Sequence, residues 1–325
     1  MAAESASLAT RSRTRLQAAA FLVVGILIFS LQDVILKWMS GSYPLTEAMA
    51  IRSSGAIIIL LVSVHLREGL RHLWSRRIGL LVLRGIILLV AYGSYYMALP
   101  AMPLAEVVAL FFMAPIFITV LAYPVLGERA RLMHWMAVLV GFLGVIVTYW
   151  PELTGAPSGS AAAPTFDWAL LLPILSTLAY ALAQLMARKL RANSASVQGL
   201  YQNAMYLVGA LGLTAVFALG NFTHPGQHPS IAFLVRDWIY GNPTDLLLLA
   251  ACAPISAAGT VFLSQAYRMA EANFVASFEY SGLIWGASWG FFIWHEVPTL
   301  YMLAGAALII AAGLFMLFVG RRQEP

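Results

Sequence analysis

"LQAAAFLVVGILIF" (16–29) runs without a charge into "FSLQDVILKWM" (29–39), which carries Asp33 and Lys37 four residues apart. The joined segment has the length of a helix that crosses a bilayer, about 20 apolar residues. Two charges near its end are costly in hydrocarbon and need a partner, water or a task. Working outward, the same reading recurs along the chain. We place spans near 17–39, 44–66, 78–99, 103–125, 133–150, 168–188, 197–219, 245–267, 273–294 and 299–319. With 61% hydrophobic and 10% charged residues, the chain falls far below the roughly 25% charge of soluble domains. The runs lack the period of two that spanning strands require. The expected class is an all-α polytopic membrane protein with ten transmembrane helices.

Cys252 is the single cysteine, so no internal disulfide framework is expected. The first span is too long for a cleaved signal. Basic residues set the orientation. Arg11, Arg13 and Arg15 precede span 1, and Arg67, Arg71, Arg76 and Arg77 follow span 2. Arg129 and Arg131 follow span 4; Arg188, Lys189 and Arg191 follow span 6; Arg268 follows span 8; Arg321 and Arg322 close the chain. All of these fall on one side, which predicts both termini in the cytoplasm of a bacterial-type inner membrane. Anionic lipid beside those loops accounts for a pI near 9.4 without any nucleic acid.

Two connections are long. "PELTGAPSGSAAAPTFD" (151–167) reads as an external linker, and "SIAFLVRDWIY" within 221–245 as a short surface helix. His224 and His228 there have metal spacing, but each precedes a proline, and a solvated loop is the better reading. Sliding the chain by 168 aligns Glu128 with Glu296. Sliding by 151 aligns Lys37 with Arg188, Asp33 with Gln184 and Arg52 with Asn203. The expected organisation is a tail at 1–16, repeats at 17–150 and 168–320 joined by 151–167, and a tail at 321–325. Five helices per repeat force opposite orientations, the inverted repeat of secondary transporters.

"LRG" (83–85), "YYMALPAMPLAEVVALFFMAPIF" (95–117), "LGER" (126–129), "SQAYRMAEANFVASFEY" (264–280) and "WHEVPT" (294–299) resemble the EamA-type proteins of the drug/metabolite transporter superfamily. The resemblance implies ten-helix inverted-repeat carriers of amphipathic metabolites, mostly exporters. It implies that helices 1–4 and 6–9 enclose a cavity while helices 5 and 10 form scaffold. The stretch 29–52 also resembles a bacterial branch with riboflavin and S-adenosylmethionine carriers. Glu128 and Glu296 sit at family landmarks and read as caps or loop anchors.

Asp33 and Arg52 lie at depths of roughly 9 and 12 Å from the outer surface, level enough to pair. They form either a structural ion pair or the polar wall of a cavity that holds a charged substrate end or a proton. Lys37 can snorkel outward. Arg84 and Glu279, each roughly 9 Å inside the opposite surface, form a candidate gate or a permanent bridge. Glu47 and Glu106 are expected to be hydrated. Tyr92, Tyr95 and Tyr96, and Trp285 and Trp289 with Ser281 one turn before, share helix faces. They read as packing surface or as an aromatic wall for a planar or amphipathic substrate. Pro115, Pro173 and Pro254 are expected to free backbone groups inside helices. The pairs Ala137/Gly141 and Ala307/Ala311 are expected to let helices 5 and 10 pack closely.

No serine-hydrolase elbow, zinc-protease motif, phosphate loop or Cys–His pair is present, so neither an enzyme nor a cofactor is expected. The function expected is secondary transport, by export or facilitation, of small metabolites such as amino acids. An importer of a riboflavin- or S-adenosylmethionine-type compound is the alternative; a channel or membrane-embedded enzyme is the reading from another class. A coupling proton and a homodimer complete the expected partners.

Overall fold

The computed structural model describes residues 2–39, 41–101, 107, 110–148, 150, 168–220, 227–239, 241–294 and 300–322. The linker 151–167, Glu106, His224, His295 and Glu296, and the side chain of Lys37, lie outside the described residues. Among the described residues there is no strand. The principal helices are α1 (Ala2–Met39), α2 (Leu45–Arg67), α3 (Ile78–Ala98), α4 (Ala114–Leu126), α5 (Leu132–Thr148), α6 (Leu171–Lys189), α7 (Ala195–Gly220), α8 (Pro243–Met269), α9 (Ser281–Trp294) and α10 (Leu300–Arg322). Six of them, α1–α3 and α6–α8, are long and apolar enough to cross a membrane. Shorter apolar helices cover 114–126, 132–147 and 303–316. This is a polytopic helical membrane protein. The tail expected at 1–16 is a helical extension of α1 from Ala2 onward.

The apolar runs at 103–125 and 273–294 do not each form one continuous helix. The first is interrupted by a turn at 112–113, and α4 begins at Ala114 with Pro115 in its first turn. The missing Pro N–H costs nothing there. The second splits into a short helix, Ala272–Ala276, and α9, separated by a turn at 277–280. In that turn Glu279 N–H donates to the Ala276 carbonyl and Gly282 N–H to Glu279, at 3.1 and 3.2 Å. Backbone polarity is thus satisfied by tight i→i+3 bonds, as irregular backbone at membrane depth requires. Pro173 also lies near a helix start, so of the three prolines expected to interrupt helices only Pro254 does so.

Packing pairs early helices with late ones. α1 lies on α8, α3 on α6, α2 on α7 and α5 on α10; α2 also meets α8, and α3 meets α7. Two apolar clusters follow. One, with Leu22, Ile118, Ala181, Leu185, Ala266 and Phe274, lies toward the arginine-rich ends of the helices. The other, with Leu36, Tyr43, Met49, Tyr96, Tyr206 and Phe233, lies toward the opposite ends.

The α5–α10 contact uses Gly144, whose absent Cβ would stand 2.8 Å from the Gly305 carbonyl oxygen. Ala137 and Gly141 are buried as expected, and Gly141 leaves room for the Tyr280 ring. Ala307 and Ala311 are exposed. The face of α10 turned inward instead carries Gly305, Ile309 and Ala312, one helical phase away from the expected pair.

Candidate functional site

A cavity of about 280 Å³ lies between the two clusters. It is lined from α1, α2, α3, α6, α7, α8, α9 and the 111–115 and 279 turns; no described residue of α5 or α10 lines it. Asp33, Arg52, Arg84, Tyr92, Tyr96, Glu279 and Trp289 all line it. Trp285 does not: its indole donates to the Val23 carbonyl on α1 at 3.3 Å. Trp289 donates to Ser30 at 2.8 Å, so the two indoles hold α9 against α1.

The opposite-charge pairs expected from matched depth are not ion pairs. Arg52, 1% exposed, donates from one terminal nitrogen to Gln32 at 2.8 Å and to Ser256 at 3.2 Å. Its guanidinium carbon stands 4.1 Å from the Tyr92 ring centre and 4.9 Å from that of Tyr206. Gln32 in turn donates to the Tyr96 hydroxyl at 3.3 Å, and Tyr96 donates to Asp33. Asp33 and Arg52 are thus joined through Gln32 and Tyr96, a path over three helices that depth alone cannot reveal. Arg52 keeps Nε and its second terminal nitrogen unpartnered, and the Tyr92 hydroxyl is unpartnered too. Such groups are uncommon in a finished core, where buried donors find partners.

Arg84, 2% exposed, donates from Nε to the Ala183 carbonyl at 3.1 Å and to Ser264 at 3.2 Å. It ties α3 to α6 and α8. Glu279, 7% exposed, accepts from Tyr267 at 2.6 Å and from Tyr180 at 2.9 Å. The expected Arg84–Glu279 contact is replaced by these separate partners, with both residues on the same cavity wall. Aromatic rings run around that wall: Tyr96 to Tyr95 at 5.1 Å, Tyr95 to Phe111 at 5.3 Å and Phe111 to Tyr180 at 5.1 Å between centres.

Sequence reasoning missed Gln32, Tyr180, Tyr206, Ser256 and Tyr267. Tyr180 lies one turn before Gln184, and both line the cavity; that i, i+4 polar pair in an apolar run was a usable signal. Asn203 accepts from Ser256 at 3.1 Å, and Ser256 accepts from Arg52. The aligned pair Arg52 and Asn203 therefore meets at one hydroxyl.

Toward the arginine-rich ends, Gly127 adopts φ 74° as the left-handed cap of α4, where a side chain would be strained. The turn brings Glu128 back over the bundle. Its carboxylate accepts from Arg188 at 3.1 Å and from the Ala272 N–H at 2.9 Å, while Arg188 also donates to the Arg268 carbonyl at 3.1 Å. The anchor expected of Glu128 is a clasp across α4, α6 and α8. In Glu128→Gln, labelling of a cysteine placed at buried Ala266, with Cys252→Ala, should rise several-fold from that side. Unchanged labelling would mean the clasp does not hold this end shut.

At the opposite ends, the helix expected in 221–245 forms at Pro229–Val235. The segment after it straps the α1–α2 turn: Trp238 donates to Thr46 at 3.0 Å, and the Ile239 N–H donates to Glu47 at 2.9 Å. Glu47 is 4% exposed, so it is an anchor and not a hydrated group. Burial, together with the Asp245 carboxylate that accepts its hydroxyl bond at 2.9 Å, pushes the Tyr43 phenol above its ordinary value. The phenol therefore stays protonated and keeps donating.

Residues 16–150 match the model of the EamA-like transporter family. The pseudopaline exporter CntI of Pseudomonas aeruginosa is 28% identical over 292 residues, covering 89% of this chain and 92% of the relative. The S-adenosylmethionine uptake transporter of Rickettsia prowazekii is 24% identical, covering 96% of each chain. The riboflavin transporter of Rhizobium johnstonii is 27% identical, covering 98% of this chain and 96% of its own. A crystal structure at 16% identity superposes with a TM-score of 0.72 over 95% of this chain and 99% of its own, which shows the fold. Family match, relatives and helical architecture agree: residues 16–150 form an EamA-like transporter domain, and the chain is a multi-pass inner-membrane transporter and not an enzyme.

Proposed function

We propose that the protein is a secondary carrier of small amphipathic metabolites, amino acids or related compounds, working as an exporter or facilitator. The observation that carries the reading is a cavity between the two apolar clusters whose wall holds two arginines and two carboxylates, none ion-paired with another, among aromatic rings. A wall with charges of both signs suits a small molecule that carries acidic and basic groups on an apolar frame. Asp33, Arg52, Arg84, Tyr92, Tyr96, Glu279 and Trp289 form its translocation surface, with Trp285 supporting it from the α1 side.

Two inverted five-helix repeats, 17–150 and 168–320, are supported by the packing. Exchanging α1–α5 for α6–α10 converts the α1–α8 contact into α6–α3 and maps the α2–α7 and α5–α10 contacts onto themselves. Sliding by 168 sets Arg84 on Cys252 and Phe111 on Glu279. Each of the four charges that line the cavity thus has an uncharged partner in the other repeat, which gives a symmetric frame an asymmetric charge pattern. A channel is disfavoured because the apolar cluster with Leu22, Ile118 and Phe274 closes the bundle on one side of the cavity.

Import of a riboflavin- or S-adenosylmethionine-type compound is the second reading, favoured by the aromatic wall and by the names of the relatives at 27% and 24% identity. Uptake of each labelled compound into proteoliposomes preloaded with the same compound separates the readings. In the membrane, both termini are cytoplasmic and 151–167 external. A cysteine at Ser158 should therefore react with an impermeant thiol reagent on intact cells; reaction only after lysis would reverse the orientation.

A further inference from the structure

Glu279 differs from the other charges of the cavity. It stands in the non-helical turn 277–280, outside both flanking helices. Its oxygens accept two phenolic bonds, from Tyr267 on α8 at 2.6 Å and from Tyr180 on α6 at 2.9 and 3.2 Å. No cation pairs with it among the described residues. On α3, Arg84 spends Nε on the Ala183 carbonyl and another nitrogen on Ser264. On α1, Arg15 faces Glu271 at 3.6 Å and the Phe274 ring. On α5, His134 accepts from the Arg131 N–H, and the Val138 carbonyl takes the Tyr280 hydroxyl bond. The 112–113 turn presents Phe112 and α4 presents Ile118, both apolar.

We infer that Glu279 is the proton-carrying group of the transport cycle, with Tyr180 and Tyr267 as the hydrogen-bond partners that hold its carboxylate; this deepens the carrier reading above and rests on it. Three physical points favour this residue and this ligand. A carboxylate without a counter-ion can be neutralised without stranding a cation, whereas neutralising Asp33 would leave Arg52 without its nearest opposite charge. The two phenols present hydrogens to the carboxylate, an arrangement for a proton and not for a sodium-like ion, since hard cations require several oxygen lone pairs. The phenols also face different places: Tyr180 lines the cavity, while Tyr267 is fully buried two residues from the end of α8 on the arginine-rich side.

The step is a simple addition. One proton from the cavity bonds to a Glu279 oxygen, the Tyr180 hydroxyl turns from donating to accepting, and Tyr267 keeps donating to the other oxygen. Release reverses it, and no electron moves. A neutral Glu279 removes a charge from low dielectric and so lowers the cost of moving α9 against α6 and α8. Protonation thereby biases which side the cavity faces.

The test uses the purified full chain. Infrared difference spectra across a pH titration should show a protonated-carboxyl band that is lost in Glu279→Gln and kept, shifted, in Glu279→Asp. Tyr180→Phe, which removes one donor and leaves the carboxylate, should move the titration of that band to higher pH. In proteoliposomes with labelled S-adenosylmethionine, riboflavin and amino acids, an imposed pH gradient should drive accumulation at least tenfold above equilibrium in the unsubstituted protein. Glu279→Gln should reduce it to equilibration, and whatever counterflow remains should not change with pH. A carboxyl band untouched by Glu279→Gln, or gradient-driven accumulation surviving that substitution, overturns the inference. Failure of every compound to give counterflow in the unsubstituted protein would sink the carrier reading, while the infrared band would still decide whether Glu279 takes the proton.

Discussion

Replacing Arg52 by Gln should reduce transport about 10²–10³-fold while the protein still inserts into the membrane. The guanidinium holds Gln32 on α1 and Ser256 on α8 and lies against the Tyr92 and Tyr206 rings. Truncating a buried, hydrogen-bonded charge at a binding site costs about 2–5 kcal/mol of binding, and about 1.4 kcal/mol is a factor of ten. Gln restores a donor but not the charge, so Asp33 is left alone in low dielectric. Arg52→Lys should recover part of the rate but not the stacking, because an ammonium lacks the planar face. Asp33→Asn combined with Arg52→Gln should be more stable than Arg52→Gln alone, since neither charge is then stranded. Thermal unfolding and initial rates of counterflow, measured on the unsubstituted protein, Asp33→Asn, Arg52→Gln and the double variant, form the cycle that separates the two effects. If rate and stability fall together by the same factor in every variant, the network is structural and the cavity reading of Arg52 is wrong.

The second large effect concerns the frame. Gly144→Leu should lower thermal stability by about 1–3 kcal/mol or more, because the new Cβ would meet the Gly305 carbonyl oxygen at 2.8 Å and Ile309 at 2.9 Å. A backbone oxygen cannot rotate aside, so α5 and α10 must separate. Gly93→Ala is the control: nothing lies within 4 Å of the added carbon. A helix-interior Gly→Ala change of that kind gains up to about 1 kcal/mol. Opposite signs for the two glycines are expected in a detergent-melting assay monitored by Trp fluorescence. A neutral Gly144→Leu would mean that the pair does not pack as closely as described.

The pattern of failures in reading the sequence is physical. Apolar runs revealed the helices because a bilayer filters for length and hydropathy, and both are local. The break at 112–113 escaped because Phe112 and Met113 are as apolar as the helices beside them, and that at 277–280 because Ser277 and Glu279 are isolated polar residues in a run that stays apolar on average. What changes is the backbone bonding pattern, which Pro115 only hints at. Depth arithmetic put Asp33 near Arg52 and Arg84 near Glu279, and all four line one cavity. It could not name their partners, because Tyr96, Gln32, Tyr180 and Ser264 come from other helices and a neutral side chain satisfies a buried charge as well as an opposite one. Ala307 and Ala311 misled because a run of small residues marks close packing without fixing helical phase. The strap at 236–239 was invisible for a related reason: Glu47 looked hydrated until the Ile239 N–H took its oxygen.

The central claim is that the cavity at Arg52 and Asp33 is a carrier's substrate site. Counterflow tests it most directly: proteoliposomes are loaded with unlabelled S-adenosylmethionine, riboflavin or an amino-acid mixture and diluted into a trace of the same labelled compound. The account predicts a transient overshoot of label above equilibrium for at least one of them, absent in Arg52→Gln, because exchange through an alternating site is faster than net flow. Label that only rises to equilibrium for every compound, or an overshoot unchanged in Arg52→Gln, would contradict it.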